Sequence, residues 1–278
     1  MRRGLLAVAA LVVLAGCGSV FVGDERTRSG DADGTLTPAP VPEVTPTPER
    51  WGIAPGLTGA GVVDMDALVA AHREAVANRS YVWRESRGAT TGFGRSLANA
   101  SVPMAVWTVA RVESESVYSL RKSREHIYLG RGVTYATDYR EYADGSVRYI
   151  RYDDPRERSD QTRAVALVPA KWNHNVGGRR TTAIRQYLAA ENATVARTRI
   201  DGRPGYVVVA HRADLSGVLD LRSYTARALV TPAGLVRSLN VTYVAVTDGV
   251  ERRVRYTFAY DRLDATAVDP PEWAAVDE

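Results

Sequence analysis

From Tyr81 onward, apolar or aromatic side chains alternate with polar ones along short segments, the period-two pattern of strands with one buried face. YVWRESRG, AVWTVARVES, SVYSLRKS, HIYLGRG and VTYATDYREY carry it, punctuated by Gly, Ser or charges. EYADGSVRYIRY, ARTRIDGRPGYVVVAHR and NVTYVAVTDGVERRVRYTFAYDRL each place Asp-Gly between two such runs, at Asp144-Gly145, Asp201-Gly202 and Asp248-Gly249. These read as antiparallel hairpins, because tight primed turns need residues that tolerate positive φ. Toward the C-terminus the stripes are cleanest: Tyr224, Ala226, Ala228 and Val230, then Leu235, Leu239, Val241 and Tyr243, then Val254, Tyr256, Phe258 and Tyr260. They predict a three-stranded meander that ends at DPPEW, where paired prolines cannot donate to a ladder.

Two segments keep a different period. In DMDALVAAHREAVANRS, residues Leu68, Val69, His72 and Val76 recur at helical spacing behind Asp64 or Asp66 as N-cap, predicting a helix over about 65–78. In TTAIRQYLAAENA, Ile184, Tyr187 and Leu188 do the same behind Thr181 or Thr182. Two helices and about nine to eleven antiparallel strands, without strand-helix-strand alternation, define an α+β fold built on one large curved sheet. A sheet of that size closes, splits or wraps around something, and the two helices are expected on its concave side.

The first 55 residues follow neither pattern. MRRGLLAVAALVVLAGC sets two arginines before an uncharged run and small residues before Cys17, the layout of a secretory signal peptide over residues 1–16. The run is shorter than the roughly 20 apolar residues of a spanning helix. Residues 24–55 are rich in Pro, Thr, Asp and Gly and hold too few large apolar side chains to offset their ordering entropy. The expected organisation is therefore a signal at 1–16, a disordered linker over 17–55 and a single domain over 56–278. Leu14, Ala15, Gly16 and Cys17 resemble the lipobox of prokaryotic lipoproteins, whose signal is cut before a cysteine that then carries a lipid. That resemblance implies lipidation at Cys17 and attachment to the extracellular face of the cell membrane. As the one cysteine in 278 residues, Cys17 also leaves no partner for an intramolecular disulfide.

The formal net charge of +4 includes Arg2 and Arg3, so removal of the signal leaves +2. Acidic and basic residues are interspersed even in the arginine-rich stretch after Gly130, so no clustered basic face points to nucleic acid. DADGTLT at 31–37 has the spacing of a phosphatase aspartate motif, but it does not follow an apolar strand, and it lacks the later bidentate acid of a calcium loop. None of His72, His126, His174 and His211 forms a metal-binding pair. A nucleophile elbow, a Walker loop and a dinucleotide fingerprint are all missing. The expectation is a non-enzymatic protein with no metal and no cofactor. A weaker alternative is an extracellular hydrolase using His174, which sits in the polar loop KWNHNVGGRR. Sequons at Asn78, Asn99, Asn192 and Asn240 are glycosylation candidates.

Fourteen tyrosines stand against three phenylalanines, an aromatic population with polar tips. Trp83, Trp107, Tyr128, Tyr135, Tyr149, Tyr256 and Phe258 are expected to line a hydrophobic ligand site on the concave face. Strand propensity alone would place the same residues in a filled core.

APGLTGAGVVDMDALVAAHREAVANRSY and the closing VRYTFAYDRLDATAVDPPEW resemble archaeal surface lipoproteins of haloarchaeal type. Such domains are similar to the LolA and LppX type of lipoprotein carrier. The resemblance implies a half-open antiparallel barrel, helices at its mouth and an apolar cavity for acyl chains. Two functions are then expected in order: binding of a lipid or other hydrophobic ligand, and a cell-surface structural or protein-interaction module with a filled core.

Overall fold

Among the described residues, the alternating segments form eleven strands of one antiparallel sheet. In a computed structural model, residues 52–91, 101–128, 133–153, 162–170, 176–189, 192–211, 220–247 and 250–274 are described. The first six strands are β4 (Tyr81–Thr91), β5 (Ser101–Val112), β6 (Val117–Tyr128), β7 (Val133–Asp144), β8 (Val147–Asp153) and β9 (Arg163–Ala166). The other five are β10 (Ala193–Ile200), β11 (Arg203–Ala210), β12 (Asp220–Val230), β13 (Val236–Thr247) and β14 (Val250–Asp261). Their order is β10-β11-β12-β13-β14-β4-β5-β6-β7-β8-β9, two consecutive meanders joined where β14 pairs with β4. Strands β9 and β10 are the two edges, so the sheet is a half-open barrel rather than a closed one.

Turn chemistry explains the register. Asp201 and Gly202 take φ of 50° and 78°, the two positive values a two-residue hairpin requires. At the β7–β8 turn, Asp144 Oδ1 accepts the Ser146 and Val147 amides while Gly145 takes φ 103°. The third Asp-Gly pair, Asp248-Gly249, lies outside the described residues. A small sheet of β1 (Gly52–Ala54), β2 (Leu57–Thr58) and β3 (Gly61–Val62) precedes the first helix. It begins inside the stretch read as linker, because runs of two or three residues are too short to show a period.

Helix α1 (Met65–Val76) starts where expected, with the Asp64 side chain accepting the Ala67 amide at 2.9 Å. Asp64→Ala is expected to cost about 1 kcal/mol of unfolding free energy, read from the urea midpoint at constant slope. Helix α2 (Val176–Leu188) starts five residues before Thr181, one of its two expected caps. Thr181 lies inside the helix and donates its hydroxyl to the Gly178 carbonyl at 3.0 Å. Gly177 and Gly178 signal a loop, yet burial of Arg180, Ile184, Tyr187 and Leu188 overrides their low propensity.

In an antiparallel ladder, directly paired residues share a face. Trp83 pairs with Ala110 and Tyr260, Ala110 with Leu120, and Leu120 with Glu141. Both helices lie on this face, since His72 of α1 and Arg180 of α2 each reach the Tyr260 hydroxyl. Leu68, Ile184, Leu188, Leu239, Phe258 and Trp83 fill the layer between helices and sheet at 0–2 % exposure, one apolar core of the kind that drives folding. The segment after β14 doubles back along the end of the sheet where β4 begins: the Asp264 and Thr266 amides bond to Ser80, and the Val268 amide bonds to Glu113. Its Asp269, Pro271 and Trp273 then lie beside Arg84, Val109 and Arg111 of the opposite face.

Candidate ligand cavity

The helix-bearing face is filled where β13, β14 and β4 run beneath the helices. Tyr187 lies between Tyr243 and Tyr256, at ring-centre distances of 6.5 and 5.1 Å. The Tyr224 hydroxyl donates to the Tyr187 carbonyl at 2.6 Å, and Tyr256 donates to Glu85 at 2.9 Å. The buried Tyr224 and Tyr256 phenols thus have polar partners, as burial demands.

Beside this packed region, at the end of the sheet where β4 begins, a cavity of about 820 Å³ opens. The C-terminal turn of α1 supplies His72, Arg73 and Val76, and the chain beyond it Ala77, Asn78 and Arg79. The first turns of α2 add Gly178, Arg180 and Thr181. Tyr81, Val112 and Ala170 complete an apolar wall, and the β5–β6 hairpin, Glu113 to Ser116, closes one side. Floor residues His72, Tyr81, Val112, Ala170 and Arg180 are buried, whereas Arg73, Asn78, Glu113 and Ser114 at the rim are exposed. The volume is that of a small-molecule site.

Arg180 dominates the floor electrostatically. It is 3 % exposed, donates to the Tyr260 hydroxyl at 2.7 Å and to the Tyr81 hydroxyl at 3.2 Å, and lies 5.4–5.9 Å from the centres of the Tyr81, Trp83 and Tyr260 rings. Three aromatic faces attract a guanidinium in this geometry. Burial opposes its charge, but the facing Tyr260 and Tyr81 oxygens outweigh that and hold its pKa above the ordinary arginine value. His72 is the converse case: burial first, then the positive charges of Arg180 and Arg73, lowers its pKa to about 3. Its Nδ1 accepts the Val236 amide at 3.2 Å, so the neutral ring carries its proton on Nε2, which faces the Tyr260 hydroxyl at 3.2 Å.

A second polar centre lies further along the same face. Glu141, 1 % exposed, accepts from the Tyr139 hydroxyl at 2.5 Å and from Arg148 at 3.2 Å, and the Tyr118 hydroxyl stands 2.9 Å away. Burial and the adjacent Glu141 carboxylate raise the Tyr139 pKa.

The residues expected to line a ligand site are divided among different places. Trp83, Tyr256 and Phe258 are on the helix-bearing face but lie in the packed region, and none of them lines the cavity. Trp107 pairs with Ser86 and Tyr149 with Tyr142, positions on the opposite face, so neither can share a concave site with Trp83. Trp107 is 45 % exposed, and Tyr149 stacks on Tyr142 at 6.2 Å. Tyr128 and Tyr135 lie on β6 and β7, with side chains outside those described. Cys17, Asn99 and His174 are also outside the described residues. Of the sequons, Asn192 and Asn240 are exposed, and Asn78, at φ 56°, sits exposed on the cavity rim. Arg180 and Thr181 carry no motif, and only their place one helical turn before Ile184 could have pointed them inward.

No protein-family model and no curated protein sequence matches the chain. Among solved structures it is similar to LprF from Mycobacterium bovis, at 12 % identity and a TM-score of 0.35, over 77 % of this chain and 99 % of that one.

Proposed function

We propose that this chain is an exported lipoprotein, held through a lipid on Cys17 at the extracellular face of the cell membrane, whose folded body binds a lipid or other hydrophobic small molecule without catalysing a reaction. The supporting observation is the cavity of about 820 Å³ between the helix ends and the sheet, walled by Val76, Ala77, Tyr81, Val112 and Ala170. Each CH₂ that such a wall takes from water contributes about 0.8 kcal/mol, enough to hold an acyl chain without any specific polar contact. The linker that follows Cys17 would act as a tether between the membrane and this body.

Mass spectrometry of organic-solvent extracts from the purified whole chain is expected to recover a co-purifying amphiphile in near-stoichiometric amount. Recovery of none, together with no binding of added lipids, would reject carriage. For the anchor, Cys17→Ser is expected to move the protein from the membrane to the soluble fraction. Equal membrane retention would reject lipidation, since a lost lipid anchor cannot be replaced by weak surface contacts.

The packed centre of the helix-bearing face, with Trp83, Phe258 and Leu239 at 0–2 % exposure, favours a second reading as a surface interaction module with a filled core. Absence of any retained or added ligand is its distinguishing result.

A further inference from the structure

The chemistry of the cavity floor selects among hydrophobic ligands. We infer that the cavity takes an amphiphile with one acyl chain and a small anionic headgroup, carboxylate or phosphate, whose charge is received by Arg180. This rests on the carrier reading above and specifies its ligand.

The lining has two parts. Val76, Ala77, Val112, Ala170 and the Tyr81 ring offer apolar surface, while Arg73, Arg79 and Arg180 bring three cations from the two helices and the chain after α1. These cations are not equivalent. Arg79 makes a bidentate pair with Asp264, its Nε 2.7 Å from Oδ1. Arg73 is exposed at the rim, where water and salt weaken its pull. Arg180 is fixed in the floor by two phenol hydroxyls and three ring faces, so its position costs a ligand no side-chain ordering. Its field acts through a low-dielectric wall, where a charge-assisted hydrogen bond is stronger than one made in water.

Among the described residues, the acidic side chains of the lining sit elsewhere. Glu113 is exposed at the tip of the β5–β6 hairpin, with its carboxylate on the Val268 amide, and Glu115 belongs to the same hairpin. An anion at the rim meets these carboxylates, and an anion at the floor meets Arg180. The gradient orients the ligand head-first. The two helix ends act in opposite senses: α2 presents Gly178, Arg180 and Thr181 of its first two turns to the cavity, whereas the C-terminal turn of α1, with Arg73 and Val76, brings carbonyls that disfavour an anion on that side. A helix N-terminus favours negative charge, and this adds to the Arg180 charge rather than standing alone.

A cavity near 820 Å³ lies within the range of roughly 300–1,000 Å³ that holds one small ligand, which matches one chain better than several. Neutral multi-chain lipids, such as triacylglycerols, are thereby disfavoured on both size and charge.

The test uses the intact chain carrying Cys17→Ser, purified without detergent and delipidated, with four probes: a fluorescent long-chain fatty acid, its methyl ester, a lysophosphatidic acid and a lysophosphatidylcholine. The acid is expected to bind about 10- to 100-fold more tightly than its ester, the range given by one hydrogen bond to a charged group. Fatty acid above lysophosphatidic acid assigns a carboxylate source, and the reverse order assigns a phosphate source. Arg180→Met is expected to remove the preference for acid over ester, and Arg180→Lys to restore most of it. Should Arg180→Met fail to fold, the acid-ester comparison in the parent decides alone. Equal binding of acid and ester by the parent would overturn the headgroup inference and leave carriage standing. Failure of every probe to bind would overturn carriage itself.

Discussion

Trp83→Ala is expected to lower the unfolding free energy by about 3–5 kcal/mol, because the largest side chain of the core would be replaced by a cavity that the sheet cannot collapse. Trp83 is 0 % exposed on the strand where the two meanders meet, paired with Tyr260 on one side and Ala110 on the other. It also provides one of the three ring faces against Arg180. Its loss therefore weakens the support of the cavity floor as well as the core. The measurement is a urea titration followed by far-ultraviolet circular dichroism, with Trp107→Ala as the control. Trp107 is 45 % exposed on the opposite face, and its replacement should change stability by no more than about 0.5 kcal/mol. Similar costs for the two variants would contradict the face assignment.

Acidification is expected to destabilise the fold in a window set by His72. In the unfolded chain this imidazole takes up a proton near pH 6.5, whereas in the folded protein it does so only near pH 3. Between these values the unfolded state binds more protons, so the stabilisation is fully present above about pH 6.5 and is lost as the pH falls toward 3. At pH 4.5 the loss is on the order of 2–3 kcal/mol, at about 1.4 kcal/mol per pKa unit. Carboxylates contribute at lower pH: the Asp144 carboxyl, for example, is held below its ordinary value by the Val147 and Ser146 amides, so its share is lost below about pH 4. His72→Gln can keep a hydrogen bond to the Val236 amide but cannot titrate. Urea midpoints for parent and variant, measured between pH 7 and 4.5, should converge as the pH falls. Parallel curves would show that His72 does not govern this window.

Local structure was largely legible because its causes are local. Asp64 before an amphipathic run, and Asp201-Gly202 between alternating runs, specify a helix start and a hairpin with no help from distant residues. The face that each strand buries was harder to read. In AVWTVARV, apolar residues occupy both parities, so Trp107 and Ala110 compete for the interior. The conflict arises because the returning C-terminal segment covers part of the second face, leaving β5 with apolar neighbours on both sides. Pairing with Trp83 decides for Ala110, and that partner lies on a different strand.

The cavity was not legible at all. Its lining comes from an α1 end, a hairpin tip, an isolated alanine and the first turns of α2, and these meet only after the sheet is assembled. Likewise His72 shows its helical spacing in the sequence, but its partners Val236 and Tyr260 are 164 and 188 residues away. Arg180 was hidden for a related reason, since two glycines made the start of its helix look like a loop.

The junction between the two meanders has a consequence for biogenesis. Strand β14, the last of the sheet in the chain, supplies the neighbour of β4, the first strand of the sheet. Until residues 250–261 have been synthesised, β4 is a bare edge and Trp83 has only half its wall. Pairings of such sequence separation form late, since the chain entropy of closing the loop must be met before the contacts reward it. A nascent chain of this topology therefore stays incomplete until nearly its full length is available.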